Sequence, residues 1–224
     1  MNKIISAIAI VVSFLAGPAV SAQEETSGSL YGLYGRLQGG AVFVDDFDQS
    51  LGPDPLIADA PDRVLAESSI GYSVGAAIGF RYPSGFRTEL EYRYVSAPVD
   101  QETTFGGLIS PSTFPSDDDV TAHFLMSNVY YDFRNTLPVT PFIGVGVGGA
   151  SVDRGALYGS DAAFAYQGRA GLKVQALEAS SISLEYVYTR TRDLVFDDVP
   201  EGALIASGDP LVVSSALISF QQNF

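Results

Sequence analysis

The stretch SIGYSVGAAIGFRY, residues 69–82, decides the fold class of this chain. Its even-numbered positions, from Ile70 to Tyr82, are apolar or aromatic, whereas its odd-numbered positions are serine, glycine, alanine or Arg81. Side chains alternate across a β-strand, so this period of two predicts a strand with one apolar face and one small or polar face. The stretch has 14 residues, more than twice the usual strand length of about five or six residues.

The same alternation recurs in seven other stretches, which gives eight predicted strands. They cover residues 30–44, 69–82, 86–95, 120–134, 142–152, 162–176, 182–190 and 211–224. Short connections between these strands alternate with longer ones. The short connections are residues 83–85, 135–141 and 177–181, and the longer ones are residues 45–68, 98–119, 153–161 and 191–210.

This order of connections is the one that an up-and-down barrel with all its long loops at one end produces. An even number of long, two-faced strands with short turns and long loops is typical of transmembrane β-barrels. The sequence therefore predicts an all-β fold, in which residues 30–224 form an eight-stranded antiparallel up-and-down transmembrane β-barrel.

Charged residues recur on one face of strands whose other face is apolar, so we predict that the charged face lines the barrel interior and the apolar face meets lipid. An interior enclosed by eight strands is just wide enough to be filled by side chains. Both charge signs are present, which allows most of these buried charges to pair. The predicted interior charge network consists of Arg36, Arg87, Glu89, Glu91, Arg93, Arg169, Lys173 and Glu185, accompanied by Gln38 and Gln167.

Residues 1–22 are organised like a secretory signal peptide. A short basic start that includes Lys3 precedes a mostly apolar run from Ile4 to Leu15, and small residues precede Gln23. The alternative is a membrane anchor, but these 12 residues are too few to cross about 30 Å of hydrocarbon as a helix. We therefore predict that the segment is cleaved.

The composition excludes several classes of protein. The chain has 12 basic and 26 acidic residues and a formal net charge of −14, which argues against a nucleic-acid partner. The absence of cysteine excludes a disulfide framework and a thiolate nucleophile, and a single histidine excludes a multi-histidine metal site. The four longer connections hold 19 of the 26 acidic residues, so the acid is predicted to form a polar rim above a nearly neutral barrel.

Three motifs invite a chemical interpretation. Residues 144–149 match the G-x-G-x-x-G pattern of dinucleotide sites, but no helix is predicted to follow, and inward glycines also make room for large neighbours. His123 and Ser127 share a strand face, as in a lipid-modifying enzyme, yet no outward acid lies nearby to orient the histidine. Glu89 and Glu91 are flanked on their own face by arginines, which favours a structural ion-pair network over general acid–base chemistry.

Two acidic clusters were considered as cation sites. Asp117, Asp118 and Asp119 form one, and Asp45, Asp46 and Asp48 form the other. Oxygen ligands suit Ca²⁺ or Mg²⁺, but neither spacing matches an EF-hand. Loose divalent bridging to lipopolysaccharide phosphates is favoured instead, so we predict no catalytic residue, no cofactor and no specific metal site.

Four segments resemble one protein family. They are GFRTELEYRY at residues 85–94, NVYYDF at 128–133, PFIGVGVG at 141–148 and AYQG at 165–168, and they resemble the opacity-type outer-membrane proteins, which are related to the transmembrane domain of outer-membrane protein A. The resemblance implies periplasmic termini, with residues 23–29 as a short N-terminal tail, and four surface loops. It also implies assembly by the outer-membrane insertion machinery, for which the C-terminal aromatic Phe224 is the expected signal.

The predicted function is that of a non-enzymatic surface protein in the bacterial outer membrane. It is expected to contribute to envelope integrity and to display acidic extracellular loops in the manner of an antigen or adhesin. The expected partners are outer-membrane lipids and lipopolysaccharide, the insertion machinery, and a host or surface ligand at the loops, with no nucleic acid. Two alternatives stay open at this stage, namely a narrow small-solute pore and a lipid A-modifying outer-membrane enzyme.

Overall fold

The computed structural model describes residues 32–45, 47–50, 63–68, 70–105, 112–115, 119–153, 160–192, 194–195, 207–208 and 210–224. The predicted signal peptide at residues 1–22 and the predicted N-terminal tail at residues 23–29 lie outside this part of the chain. No helix among the described residues has the length and apolar character needed to span a membrane.

Thirteen strands account for nearly all of the described residues. In chain order they are β1 (Gly32–Val44), β2 (Phe47–Ser50), β3 (Arg63–Ser68), β4 (Ile70–Arg81), β5 (Phe86–Phe105), β6 (Ser112–Pro115), β7 (Asp119–Asp132), β8 (Val139–Asp153), β9 (Ser160–Leu177), β10 (Ser180–Thr191), β11 (Leu194–Val195), β12 (Ser207–Gly208) and β13 (Val212–Asn223).

Eight of these strands form a closed antiparallel barrel. Its order is β1-β4-β5-β7-β8-β9-β10-β13, and β13 pairs again with β1. Consecutive barrel strands are therefore neighbours throughout, which confirms the predicted eight-stranded up-and-down barrel. Closure gives every barrel strand two partners, so none of the eight is an edge strand.

The short connections lie together at one end, which we call the turn end; the opposite end is the loop end. The tightest turn, between β4 and β5, is closed by Tyr82, whose N–H donates to the carbonyl of Phe86 at 3.0 Å. Gly85 in this turn has a φ of +92°, a conformation that favours glycine. Strand β8 begins at Val139 rather than at the predicted residue 142, and β10 begins at Ser180 rather than 182.

The largest departure from the sequence prediction is at the loop end. Strand β5 continues to Phe105 instead of ending at residue 95, and parts of three predicted loops pair as strands. Together they form a sheet in the order β11-β12-β2-β3-β5-β6 that extends the barrel wall. These added strands have two to six residues each, too few to show a period, and their pairing partners decide their conformation.

The outward face of the barrel is apolar. Leu37, Val145 and Ile218 are each more than 60% exposed, and they belong to a continuous series of exposed aliphatic and aromatic side chains. A patch of this extent is typical of a surface that contacts hydrocarbon rather than water. At the turn end aromatic rings pair along the boundary, with centroids of Phe86 and Tyr131 5.1 Å apart. Aromatic rings in this position are typical of the interfacial girdle of a transmembrane barrel.

Glycines on β8 face large side chains across the interior. A Cβ added to Gly144 would collide with the ring of Tyr130, and one added to Gly146 would collide with the side chain of Asn128. The G-x-G-x-x-G match therefore lies in a barrel strand, followed by further strand residues, and its glycines provide the space that these neighbours occupy.

We predict that Gly144→Ala destabilises the barrel, because the added methyl group must displace the buried Tyr130 ring. Overpacking of this kind costs about 1–3 kcal/mol. The measurement is the urea midpoint of the heat-modifiable band on a gel. Gly168→Ala is the matched control, since no atom lies within 4 Å of the added Cβ. Equal midpoints for the two variants would contradict the steric argument.

Candidate functional site within and around the barrel

The eight charges of the interior charge network all lie inside the barrel, where each residue is at most 8% exposed. They come from four strands: Arg36 from β1, the residues Arg87, Glu89, Glu91 and Arg93 from β5, Arg169 and Lys173 from β9, and Glu185 from β10. Their side chains meet across the lumen because inward positions on a small closed barrel all point toward one axis.

Two arginines connect the strands at the middle of the lumen. Arg36 places Nη1 at 2.5 Å from Oε1 of Glu185 and Nη2 at 2.5 Å from Oε1 of Glu89. Arg169 pairs with Glu91 and places Nη2 at 3.1 Å from Oε2 of Glu185. Each buried cation therefore contacts at least two carboxylates, which is the arrangement that offsets the cost of removing such charges from water.

Neutral amides occupy the remaining hydrogen-bonding positions around Glu91. Gln38 donates from Nε2 to Oε1 at 2.9 Å, and Asn128 donates from Nδ2 to Oε2 at 2.8 Å. Gln167 in turn donates to Oδ1 of Asn128 at 2.6 Å. The carboxylate is thus held by charged and uncharged donors from three other strands, a fixed network rather than a free catalytic acid.

Asp132 belongs with these charges although the sequence analysis did not include it among them. Its carboxylate accepts from Nε of Arg87 at 3.0 Å and from Nζ of Lys173 at 2.5 Å. The residue shares the inward parity of Asn128 and Tyr130, which was the available signal. Its position at the end of a strand, next to a turn, made an exposed side chain equally plausible from sequence.

Aromatic rings complete the polar part of the interior near the turn end. The guanidinium of Arg87 lies 4.5 Å from the ring centroid of Tyr130 and 5.3 Å from that of Phe142. The hydroxyls of Tyr34 and Tyr130 each donate to Glu89 at 3.1 Å. Such rings satisfy a buried cation on their faces while filling volume that shorter side chains would leave empty.

Arg93 marks the boundary between the polar interior and a second, apolar region. It is fully buried, and its Nη2 donates to Thr189 at 2.5 Å and to Gln167 at 3.2 Å. On its other side the guanidinium lies 5.0 Å from the ring centroid of Phe124. Polar partners therefore hold one side of this side chain, and an aromatic residue covers the other.

Beyond Arg93, toward the loop end, buried apolar side chains fill the barrel. We call this cluster the apolar layer. It consists of Val42, Val44, Val95, Ala97, Val120, Ala122, Phe124, Met126, Ala150, Val152, Ala165, Leu211 and Val213. The interior predicted from the sequence is charged and polar and does not include this layer. The signal was the change of inward residues along single strands, for example from Arg93 to Val95 on β5.

His123 lies on the outward face, between two tyrosines. Its Nδ1 is 2.8 Å from the hydroxyl of Tyr92, and its ring centroid is 5.1 Å from that of Tyr94. Ser127 is four residues along the same strand, about 13 Å away at the rise of a β-strand, so the two cannot form a hydrogen bond. Ser151 is the cross-strand neighbour of His123, and no hydrogen bond joins them.

The two acidic clusters are the candidate cation sites named from the sequence. Within the described ranges, no group of three His, Asp or Glu side chains is arranged to hold a metal ion. Asp46, Asp117 and Asp118 lie outside those ranges.

Phe224 follows β13 at the turn end, where its N–H donates to the carbonyl of Leu33 at 3.0 Å and its side chain is exposed. Its role as an assembly signal stays a prediction.

Neutralising Glu89 and Glu91 together, as Glu89→Gln with Glu91→Gln, is expected to destabilise the barrel. The change leaves Arg36 and Arg169 buried with one carboxylate, Glu185, between them. Removing one side of a buried ion pair costs about 3–5 kcal/mol, which the urea midpoint of the folded band would report. Glu178→Gln, at the exposed turn between β9 and β10, is the control. An unchanged midpoint in the double variant would show that these pairs do not stabilise the fold.

Comparison with known structures extends these observations. The crystal structure of Neisserial surface protein A aligns with a TM-score of 0.51 and 16% identity, covering 90% of this chain and 100% of that one. The outer membrane protein OprG from Pseudomonas aeruginosa aligns with a TM-score of 0.53 and 13% identity, covering 88% of this chain and 99% of that one. At these identities the likeness establishes the fold.

Sequence comparison adds curated relatives and a family. Uncharacterized proteins of Brucella abortus (strain 2308) and Brucella suis biovar 1 (strain 1330) are 27% identical over 92 residues, which is 37% of this chain. The match spans about a third, 32%, of the length of those relatives. Residues 60–209 match the family described as Surface antigen, which is more than half of the chain. The chain therefore belongs to the surface antigen family and is an eight-stranded β-barrel of the bacterial outer membrane.

Proposed function

We propose that this surface protein is a non-enzymatic, non-conducting barrel that anchors acidic loops at the cell surface and contributes to envelope integrity. The observation that carries the proposal is the filled lumen. From Asp132 near the turn end to Val44 near the loop end, the described inward side chains are buried against one another. A barrel filled in this way provides a rigid support for loops.

A pore would require a hydrated path along the barrel axis. In the polar half of the lumen, the arginines and carboxylates hydrogen-bond to one another across the axis. In the other half an ion would meet Phe124, Met126 and the rest of the apolar layer, where neutral side chains such as Thr191 are the polar neighbours. Both halves oppose conduction, the first because its charges are fixed in pairs and the second because it cannot solvate an ion.

The display function rests on charge and on the sheet at the loop end. The four longer connections defined from the sequence carry 19 acidic and three basic residues, a net charge of −16. Strand β12 pairs with β2, β2 with β3, and β3 with the extended β5, so three of these connections share one β-sheet base. We infer that this anionic rim meets a basic host or surface ligand, or lipopolysaccharide bridged by divalent cations.

The closed lumen predicts that purified, folded protein adds no discrete conductance to a planar lipid bilayer. An established open porin in the same bilayer is the positive control, and a heat-unfolded sample is the negative one. Conductance steps that change in size when Phe124 is replaced by Ala would place an ion path through the apolar layer. That result would overturn the proposal in favour of the pore.

The absence of catalysis is tested by mass spectrometry of lipid A from cells with and without expression of the protein. We expect identical lipid A profiles, because the Nδ1 of His123 contacts a tyrosine hydroxyl rather than an acid, and no serine among the described residues donates to this histidine. His123→Ala and Ser151→Ala should leave the profile unchanged. A modified lipid A species that depends on both residues would identify an enzyme.

A further inference from the structure

Arg190 and Arg192 are the outward-facing cations at the loop end of the described barrel strands. Both are exposed, and they lie two residues apart on the same face of β10 and its continuation. The other arginine and lysine residues of the eight barrel strands occupy inward-facing positions. These are Arg36, Arg81, Arg87, Arg93, Arg169 and Lys173.

The neighbouring strands make this pair distinctive. At the same end of the barrel, the exposed residues Asp45 directly after β1, Asp119 on β7 and Asp153 on β8 are acidic. The two strands that flank β10 place Tyr166 and Val212 beside Arg190. The sector at β10 is therefore basic and has uncharged neighbours on both sides, whereas the ends of β1, β7 and β8 are acidic.

The outward residues of β10 follow the polarity of a membrane from its interior to its surface. Ile182 and Leu184 are aliphatic, Tyr186 and Tyr188 are amphipathic, and the two arginines follow. Aliphatic side chains prefer hydrocarbon, tyrosines prefer the interface, and arginines reach the level of the headgroups. The series therefore places the guanidinium groups where lipid phosphates lie.

Arg192 is held in place by its backbone and by an aromatic ring, and both guanidinium groups keep N–H donors for a ligand. The backbone N–H of Arg192 donates to the carbonyl of Phe164 at 2.8 Å, and its guanidinium lies 5.6 Å from the Phe164 ring centroid. Arg190 forms no ion pair or side-chain hydrogen bond with another described residue. Two planar cations on one face, each with several N–H donors, suit the negative charge and the acceptor oxygens of a phosphate monoester.

We propose that Arg190 and Arg192 form a binding site for a phosphate group of a lipid A-type glycolipid in the outer leaflet of the membrane. The assignment to the outer leaflet rests on the proposed function, which places the loop end at the cell surface. The aromatic residues Phe164, Tyr166 and Tyr188 would contact the sugar and the first part of the acyl chains. Lipid bound at this site would fix one side of the barrel in the leaflet.

The test is native mass spectrometry of the folded protein in detergent, titrated with bisphosphorylated lipid A. We expect Arg190→Gln with Arg192→Gln to weaken binding at least tenfold, while lysine at both positions, which retains the charge, preserves part of it. Arg134→Gln, a charge change at the turn end, is the control. Heat-modifiable mobility of each variant verifies that the barrel is folded before titration.

Three outcomes would overturn the assignment of a phosphate-binding site to Arg190 and Arg192. Dephosphorylated lipid A that binds as tightly as the phosphorylated form would show that acyl chains alone are recognised. Competition by millimolar inorganic phosphate would indicate a simple anion site, and equal weakening by Arg134→Gln would indicate nonspecific charge attraction. The bilayer and lipid A profile experiments do not depend on these arginines. A negative result in the lipid A binding titration would therefore not affect the proposal of a closed, non-enzymatic barrel.

Discussion

The pairing of β13 with β1 is the constraint on which the rest of the structure depends. Eleven residue pairs, from Tyr34 with Asn223 to Val44 with Val213, close the sheet and remove its two edges. Hydrocarbon offers no hydrogen bonds, so an open sheet would leave unpaired backbone groups in contact with lipid. Closure also fixes which parity of every strand faces the axis, and therefore where each charge in the barrel lies.

Once the sheet is closed, inward-pointing side chains must fill the narrow interior that the eight strands enclose. The chain does so in two ways along the axis. Near the turn end and the middle, arginines such as Arg36 and Arg169 bridge carboxylates from different strands. Near the loop end, the apolar layer fills most of the interior. Glycines opposite Tyr130 and Asn128 leave the space that these two side chains occupy. The lumen is thus a packed core with a polar and an apolar half.

The residue types on the barrel exterior change with depth in the membrane, and this order supports the proposed functions. An aromatic girdle lies at the turn end, aliphatic side chains form the belt, and charged residues begin at the loop end. A filled barrel makes the loops and the boundary with the lipid headgroups the surfaces available for interaction. Membership of the surface antigen family agrees with this emphasis on the cell surface.

The sequence by itself determined the number of barrel strands, their order and the face on which each residue lies, because alternation is a local property that one strand reveals alone. It assigned Glu91 and Arg169 to the same interior. It did not reveal that they pair, that Asp132 joins the network, or that β5 extends to Phe105. Those features, and the apolar layer, were decided by the tertiary structure, because they depend on which residues of distant strands reach the same level after the register is set and the sheet closes.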